Sequence, residues 1–131
     1  MSIDVNAAYE LLLAADNMPE MIVVPADKAE LLLGVSAEDC VQAVTAICQV
    51  SIQADEIWLV EAKDADAAGR VAELAQNRID QKSAELENYL PEQFKVVQDA
   101  RLIRNGNIVV LIISPQAEQL CSILKDNYNI G

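Results

Sequence analysis

The most constraining feature of the sequence is an uninterrupted run of six apolar residues at positions 108–113, within the stretch RNGNIVVLIIS. A strand with one face in water alternates apolar and polar residues, whereas a run of this kind is typical of a strand buried on both faces. The chain must therefore place a layer of side chains on each side of this strand. With 131 residues and 53% hydrophobic content, it has enough apolar mass to do so as one domain, residues 1–131.

The N-terminal segment, residues 1–36, is predicted to be helical. Ser2 or Asp4 can cap a first helix whose apolar residues recur at helical spacing. A second helix follows an extended MIVV stretch, since Pro25 suits the start of a helix and Gly34 suits its end.

Residues 40–127 form the predicted core, with the element order ββαββα. The strands are expected at residues 42–50, 56–62, 95–104 and 107–113, with a long helix from Asp64 to about Glu87 and a last helix capped by Ser114. The last two strands are joined by Asn105 and Gly106, the favoured pair for a type I′ turn. This turn places Leu102 opposite Val109.

The predicted topology follows from the long helix between the two hairpins. This helix returns the chain to the starting edge, so the second and third strands run parallel, and the fourth and most apolar strand fits between them. The expected order of these four strands is 1-2-4-3, with 2-1-3-4 as the alternative. The fold class is therefore α+β, a four-stranded antiparallel sheet of permuted ferredoxin-like type with helices packed on it.

The apolar run needs two covers. The long helix and the C-terminal helix are expected on the face formed by the odd-numbered residues of the run. The N-terminal segment, residues 1–36, is expected on the face of the even-numbered residues, because large exposed apolar patches are uncommon on monomers. The alternative cover is a second copy of the domain, so a monomer is favoured over a homodimer.

The charge restricts the partners of the chain. The net charge of -12, from 21 acidic and 9 basic residues, argues against nucleic acid and anionic membrane surfaces. Residues 1–62 carry eleven carboxylates against Lys28 alone, so a charged partner of this half should be cationic. No apolar run approaches the length of a membrane span, so this domain is not expected to insert into a membrane.

Cysteine and histidine usage argues against most catalytic chemistry. The chain has no histidine, which removes the usual general base and imidazole metal ligands. Its three cysteines, Cys40, Cys48 and Cys121, include no close pair that would predict a disulfide or a metal site. Cys48 and Cys121 are expected to be reduced and buried, and no catalytic residue, cofactor or metal is predicted.

Arg78 lies within the apolar stripe of the long helix and is a candidate site residue. An arginine in such a place should have a carboxylate or carbonyl partner. A structural ion pair is favoured over an anion-binding site, since the stem of arginine packs well on apolar surface. Trp58 is expected to pack in the core with its indole nitrogen at the surface.

Two acidic pairs are candidates for a cation-binding patch. Glu38 and Asp39 precede the first predicted hairpin strand, and Asp55 and Glu56 lie at the start of the second. If the hairpin loop folds over, the four carboxylates can gather, whereas separate hydration is the favoured outcome.

The stretch that begins at Asp64 resembles the first half of a calcium loop, D-x-D-x-x-G. Ala68 and Ala75 stand where further acidic ligands are needed, so the site is not expected to form. Asp64 is instead predicted to cap the long helix.

Five stretches together resemble a known bacterial family. They are GVSAED at 34–39, ADEIWLVEAKD at 54–64, Arg78, ENYLPEQFKVVQDA at 87–100 and GNIVVLIIS at 106–114. In this order and spacing they are similar to the family catalogued as domain of unknown function 4358 (DUF4358), over about residues 20–125.

The resemblance has implications for location but none for catalysis. Family members are mostly small proteins of Gram-positive bacteria, many with a lipoprotein-type signal and a lipidated cysteine ahead of the domain. The resemblance therefore implies an extracytoplasmic module that is anchored to the membrane through a lipidated N-terminus, which this chain does not include. The alternative is a cytoplasmic location. The family supplies no catalytic residue to carry over.

Two functional hypotheses follow. The preferred one is a non-catalytic binding or scaffolding module of the bacterial cell envelope, with an unidentified protein or cationic ligand as partner. The alternative is a hydrolase-like enzyme that depends on carboxylates, since paired acids can transfer protons without histidine. Two carboxyls converging in a deep pocket would favour the enzyme.

Overall fold

The computed structural model describes residues 3–50 and 52–131. Its helices are α1 (Val5–Leu13), α2 (Ala26–Leu33), α3 (Ala65–Leu86), α4 (Pro91–Gln98) and α5 (Ala117–Tyr128). Its strands are β1 (Met21–Val23), β2 (Cys40–Cys48), β3 (Glu56–Ala62), β4 (Arg101–Asn105) and β5 (Ile108–Ile113), and a 3₁₀ turn, Ala37–Asp39, precedes β2. The fold class is α+β, as predicted.

The strands form one antiparallel sheet in the order β1-β2-β3-β5-β4. The four strands expected from the sequence have the predicted order, with the fully buried β5 between β3 and β4. The alternative order, in which the first strand separates the second from the third, is therefore wrong. The sheet has five strands rather than four because β1, within the MIVV stretch, pairs with the end of β2.

The segment 95–104 is not one strand, as the sequence suggests. Residues 91–98 form α4, and β4 begins only at Arg101. α3 ends at Leu86, close to the predicted end at Glu87. Pro91 lies in the first turn of the new helix, where the missing N–H of proline costs nothing.

The β4–β5 turn differs from the predicted one by one position. Its central residues are Gly106 and Asn107 rather than Asn105 and Gly106. Gly106 has a φ of +60°, which a type II′ turn requires at its first central position. Leu102 consequently lies opposite Leu111, two residues from its predicted partner. Since the register differs by two residues, each side chain keeps its predicted face.

Most predicted helix ends are confirmed. The Asp4 side chain accepts hydrogen bonds from the first turn of α1, whereas Ser2 lies outside the described residues. Asp64 caps α3 by accepting a hydrogen bond from a backbone N–H of its first turn, and Gly34 ends α2 with a φ of +81°. The last helix is an exception, because α5 begins at Ala117 rather than directly after Ser114.

Separate hydrophobic cores cover the two faces of the sheet. In the α3-side core, the odd-numbered residues of β5 pack against α3 and Val97 of α4. In the α1-side core, its even-numbered residues pack against α1 and α5. The N-terminal segment thus covers the predicted face through α1, and Leu33 and Val35 join the α3-side core.

The predicted position of the C-terminal helix is wrong. α5 lies on the α1 side of the sheet, where Leu120 and Leu124 are fully buried. β5 is apolar on both faces, so either face can accept this helix. α3 and α4 occupy one face, whereas the nine-residue α1 leaves room beside it on the other.

The predicted burial of Cys48 and Cys121 is also wrong. Both thiols are free and half-buried, as is Cys40. Cys48 is the last residue of β2, and Cys121 lies at the margin of the α1-side core, so neither reaches the interior.

Candidate functional site

Arg78 has the carboxylate partner that its position in the apolar stripe predicts. The partner is Glu56, the first residue of β3. The guanidinium Nε donates to both carboxylate oxygens, at 3.1 and 3.0 Å, and Nη2 donates to Oε1 at 3.0 Å. The Glu56 side chain has no exposed surface, whereas that of Arg78 is 22% exposed. The pair therefore fixes α3 on β3 from within the protein.

A second cation and an indole complete the arrangement around Glu56. Lys82 Nζ lies 2.9 Å from Oε1 and donates to the carbonyl oxygen of Ala54 at 2.8 Å. Trp58 Nε1 donates to Oε2 at 2.7 Å. Glu56, Trp58, Arg78 and Lys82 are called the Glu56 cluster below.

The spacing of these residues explains why they meet. Arg78 and Lys82 are four residues apart and share a helix face, and Glu56 and Trp58 are two residues apart and share a strand face. The packing of α3 on β3 brings the two faces together. The expectation that the nitrogen of Trp58 lies at the surface is wrong, because the buried indole finds its acceptor inside the protein.

The Glu56 cluster is suited to stabilising the fold rather than to reacting with a substrate. Both carboxylate oxygens of Glu56 accept charge-assisted hydrogen bonds, and two cations offset its charge. The Glu56 side chain has no exposed surface, so a substrate cannot reach this carboxylate. The cluster therefore gives no support to the alternative of a carboxylate-dependent enzyme.

Asp55 is buried beside this cluster and is less well satisfied. Only 3% of the residue is exposed, and its Oδ2 has no hydrogen-bond partner among the described residues. Burial raises the pKa of the Asp55 carboxyl, against the opposing effects of its own backbone N–H and of Lys82. Since an unpaired buried charge is costly, the folded protein favours the protonated form of Asp55 more than the unfolded chain does.

Asp39 forms an ion pair at the other end of the hairpin. Arg70 of α3 donates from Nη2 to Oδ1 at 2.7 Å and from Nε to Oδ2 at 3.2 Å, and Lys63 Nζ lies 3.9 Å away. The hydrogen bonds from Arg70, with the charges of Arg70 and Lys63, hold the pKa of Asp39 below its ordinary value. Glu38, next to it, is exposed.

The two acidic pairs do not gather into one patch. Ile47 pairs with Glu56 at one end of the β2–β3 hairpin, and Cys40 pairs with Ala62 at the other. At about 3.3 Å per residue, the pair before β2 and the pair at the start of β3 are roughly 20 Å apart. Within residues 3–50 and 52–131, no group of three acidic or cysteine residues is arranged to hold a metal ion.

The surface beside α2 offers a different kind of site. A groove of about 240 Å³ lies between α2 and the first half of β2. Its apolar lining residues are Val24, Ala26, Ala29, Val35, Ala37, Cys40, Val41 and Ala43. This α2–β2 groove continues into exposed apolar surface, because Val41 is 65% exposed.

The surroundings of the groove are acidic and apolar. Asp27 and Glu30 are exposed on α2, with the exposed Lys28 between them in sequence, and Glu38 is exposed in the turn before β2, so carboxylates outnumber cations there by three to one. Leu31 and Leu32, on the outer side of α2, are 80% and 60% exposed. Large apolar side chains at such exposure, close to an apolar groove, are typical of interaction surfaces.

A larger cleft, of about 560 Å³, lies between α4 and the start of α5. Its acidic side chains, Glu92, Asp99 and Glu118, alternate with Lys95 and Arg101. The cleft therefore has little preference for a ligand of one charge. It also lacks the apolar character of the α2–β2 groove, which makes it the weaker candidate.

Sequence reasoning identified Arg78 and favoured a structural ion pair for it, without naming the partner, but missed the α2–β2 groove. The residues that line the groove come from separate segments, and small side chains such as Ala26, Ala29 and Ala43 carry no chemical signal. The one available signal was the exposed apolar pair Leu31–Leu32, which reads in sequence as part of a buried helix face.

Comparison with known proteins gives a family but no characterised relative. No curated protein and no solved structure matches the chain. None of the helices in the described part of the chain is long and apolar enough to cross a membrane. Residues 14–114, from the end of α1 to the end of β5, match the family described as a domain of unknown function (DUF4358). The chain belongs to the DUF4358 family.

Proposed function

We propose that this protein is a non-catalytic binding module, and that the α2–β2 groove holds an extended segment of a partner protein with apolar and basic side chains. The proposal depends on one observation, that an apolar groove, the exposed Val41 and acidic surroundings occur together. An apolar floor supplies affinity, and the surrounding charges select the partner. A binding role also agrees with the Glu56 cluster, whose carboxylate is occupied by internal partners.

The acidic surroundings specify the charge of the partner. Residues 1–62 carry eleven carboxylates and one basic residue. Of these carboxylates, Asp39 and Glu56 are neutralised by cations of α3 and neighbouring residues, whereas Asp27 and Glu30 are exposed beside the groove. Such a field accelerates the association of basic segments and disfavours acidic ones.

We place this module in the bacterial cell envelope, outside the cytoplasm and anchored through a lipidated N-terminal extension. The support for this location is the resemblance to DUF4358, because many members of that family carry a lipoprotein-type signal ahead of the domain. The test is to fractionate cells that express the full-length gene product and to detect the domain with an antibody. Recovery of the domain in the soluble cytoplasmic fraction would contradict the envelope location.

Binding can be tested with a short synthetic peptide that alternates lysine and valine, KVKVKVK. The peptide carries a fluorescent label, and its anisotropy is followed as the protein is added. We expect saturable binding that weakens as the salt concentration rises, because exposed charges are screened beyond about 10 Å at 0.1 M salt. The matched acidic peptide EVEVEVE should not bind.

A pair of protein variants locates the binding to the groove. Val41→Ser removes an apolar side chain, 65% exposed, from the groove. Ile52→Ser removes one of similar exposure, 59%, from the hairpin loop outside the groove. We expect Val41→Ser to weaken binding about fivefold, the effect of losing roughly 1 kcal/mol of apolar contact, and Ile52→Ser to leave it unchanged. Equal affinities for the two variants would exclude the groove as the binding site.

A further inference from the structure

The open edge of β2 indicates how a partner segment binds. We infer that the segment adds to the sheet as a new strand, antiparallel to β2, with one of its residues hydrogen-bonded to the backbone of Ala43. This inference rests on the proposed function, since it specifies the binding mode in the α2–β2 groove. Strand addition of this kind takes its affinity from backbone hydrogen bonds and its specificity from alternate side chains.

The backbone of Ala43 faces away from β3. Cys48 N donates to the carbonyl oxygen of Asp55 at the β3 side, whereas the carbonyl oxygen of Thr45 accepts from Val24 N on the opposite side, at 2.7 Å. Successive residues of a strand direct their backbone groups to opposite sides. Ala43 is two residues from Thr45 and therefore directs its N–H and its carbonyl oxygen to the side of β1.

β1 does not extend far enough to cover Ala43. The β1–β2 register pairs Val23 with Ala46, so residue 26 would lie opposite Ala43 if β1 continued. Pro25 instead turns the chain into α2, which begins at Ala26. Within residues 3–50 and 52–131 no strand pairs with β2 at Ala43 on the side of β1, so an open strand edge lies beside the apolar groove. Such an edge is a template for another strand.

The side chains around this edge predict an alternating partner. The residue opposite Ala43 shares its face and points into the apolar groove. The next residues point to the other face, beside Gln42, which donates to Glu61 Oε1 at 2.8 Å and accepts from Val5 N, adjacent to Asp4. The partner segment should therefore place apolar residues toward α2 and basic residues toward Asp4 and Glu61.

N-methylated forms of the peptide KVKVKVK test the backbone pairing. In the inferred register one valine lies opposite Ala43 and donates its N–H to β2, and the N–H groups of the other valines point to the same side, whereas the lysine backbone N–H groups point away from β2. A methyl group on each valine backbone nitrogen removes the hydrogen-bond donor and adds bulk at the strand edge. We expect it to weaken peptide binding about tenfold or more. The matched control carries the same number of methyl groups on lysine backbone nitrogens. Its affinity should stay within about threefold of that of the unmethylated peptide, since those nitrogens make no hydrogen bond to β2.

The outcomes separate this inference from the proposed function. Selective weakening by methylated valine, with slower hydrogen exchange at the Ala43 amide in the complex, is the result expected for strand addition. Equal binding of the two methylated peptides would overturn strand addition and leave the binding module in place. Failure of the unmethylated peptide to bind would overturn both.

Discussion

Arg78 of α3 and Glu56 of β3, 22 residues apart in the chain, form a two-pronged ion pair whose carboxylate is wholly buried. Burying two charges costs solvation energy that their attraction and hydrogen bonds must offset. Removing one partner leaves the other charge in the interior with fewer hydrogen bonds. Removing one partner should therefore lower the free energy of unfolding by more than the intact pair contributes to it.

Arg78→Met should lower the free energy of unfolding by about 3 kcal/mol, at the lower end of the range for broken buried pairs, because Lys82 still faces Glu56. Methionine keeps much of the apolar stem, so the loss reports on the charge rather than on packing. Urea unfolding followed by the fluorescence of Trp58 measures the change.

Arg70→Met is the matched control for the effect of burial. Arg70 forms a pair with Asp39 at 2.7 Å, shorter than the 3.0 Å of Arg78 and Glu56, but the Arg70 side chain is 52% exposed. We expect a much smaller loss than for Arg78→Met, since water solvates the carboxylate that remains. Similar losses for the two variants would show that burial of Glu56 does not determine the cost.

The sequence predicted those features that depend on neighbouring residues. Asp4, Asp64 and Gly34 act at helix ends as expected, because capping needs only a side chain or a left-handed residue at the right place. The order of the four longer strands followed from connection lengths and from the apolarity of β5. β1 was missed because a strand of three residues has no periodicity to detect.

Features that depend on distant packing were not predictable in this way. The prediction of which face α5 covers was wrong, since β5 offers two apolar faces and no residue near Ala117 distinguishes them. Arg78 was expected to have a carboxylate or carbonyl partner, but which group that is depends on how α3 lies across β3. The α2–β2 groove depends on where β1 ends beside β2, which is a property of the assembled sheet.

Asp55→Asn should stabilise the protein near neutral pH. Because burial raises the pKa of Asp55 above its ordinary value of 3.8, the folded state holds this proton more tightly than the unfolded chain does. The stability linked to this proton is complete at low pH and is lost as the pH rises through the raised pKa. The advantage of the variant in urea unfolding should therefore shrink as the pH is lowered to about 4.

Asp39→Asn should show the opposite pH dependence and serves as the control. The pKa of Asp39 is held below its ordinary value, so its contribution to stability is present above that value and is lost as the pH falls through the lowered pKa. The variant should be less stable than the wild type near neutral pH, and the difference should vanish in acid. If the Asp55 and Asp39 variants both gained or both lost stability near neutral pH, the environments assigned to the two carboxylates would be contradicted.

The thiol of Cys121 should react slowly with a water-soluble reagent, although it is not fully buried. Burial raises the pKa of the Cys121 thiol, with Arg101 acting in the opposite direction, so the fraction of reactive thiolate at neutral pH is small. In the variant Cys40→Ser/Cys48→Ser, native Cys121 should label about tenfold or more slowly than in the urea-unfolded chain, with a rate that increases with pH. Equal rates in the two states would show that the thiol is freely accessible.

Two adjacent leucines of α1 test whether this helix covers the even-numbered face of β5. Leu12 is fully buried in the α1-side core, whereas Leu11 is 37% exposed. Leu12→Ala should lower the free energy of unfolding by about 3 kcal/mol, since it removes buried methyl groups and leaves a cavity above the sheet. Leu11→Ala, with the same change in helix propensity, should stay within about 0.5 kcal/mol of the wild type. If the two substitutions cost the same in urea unfolding, α1 does not pack on the sheet and another cover must protect Ile108, Val110 and Ile112.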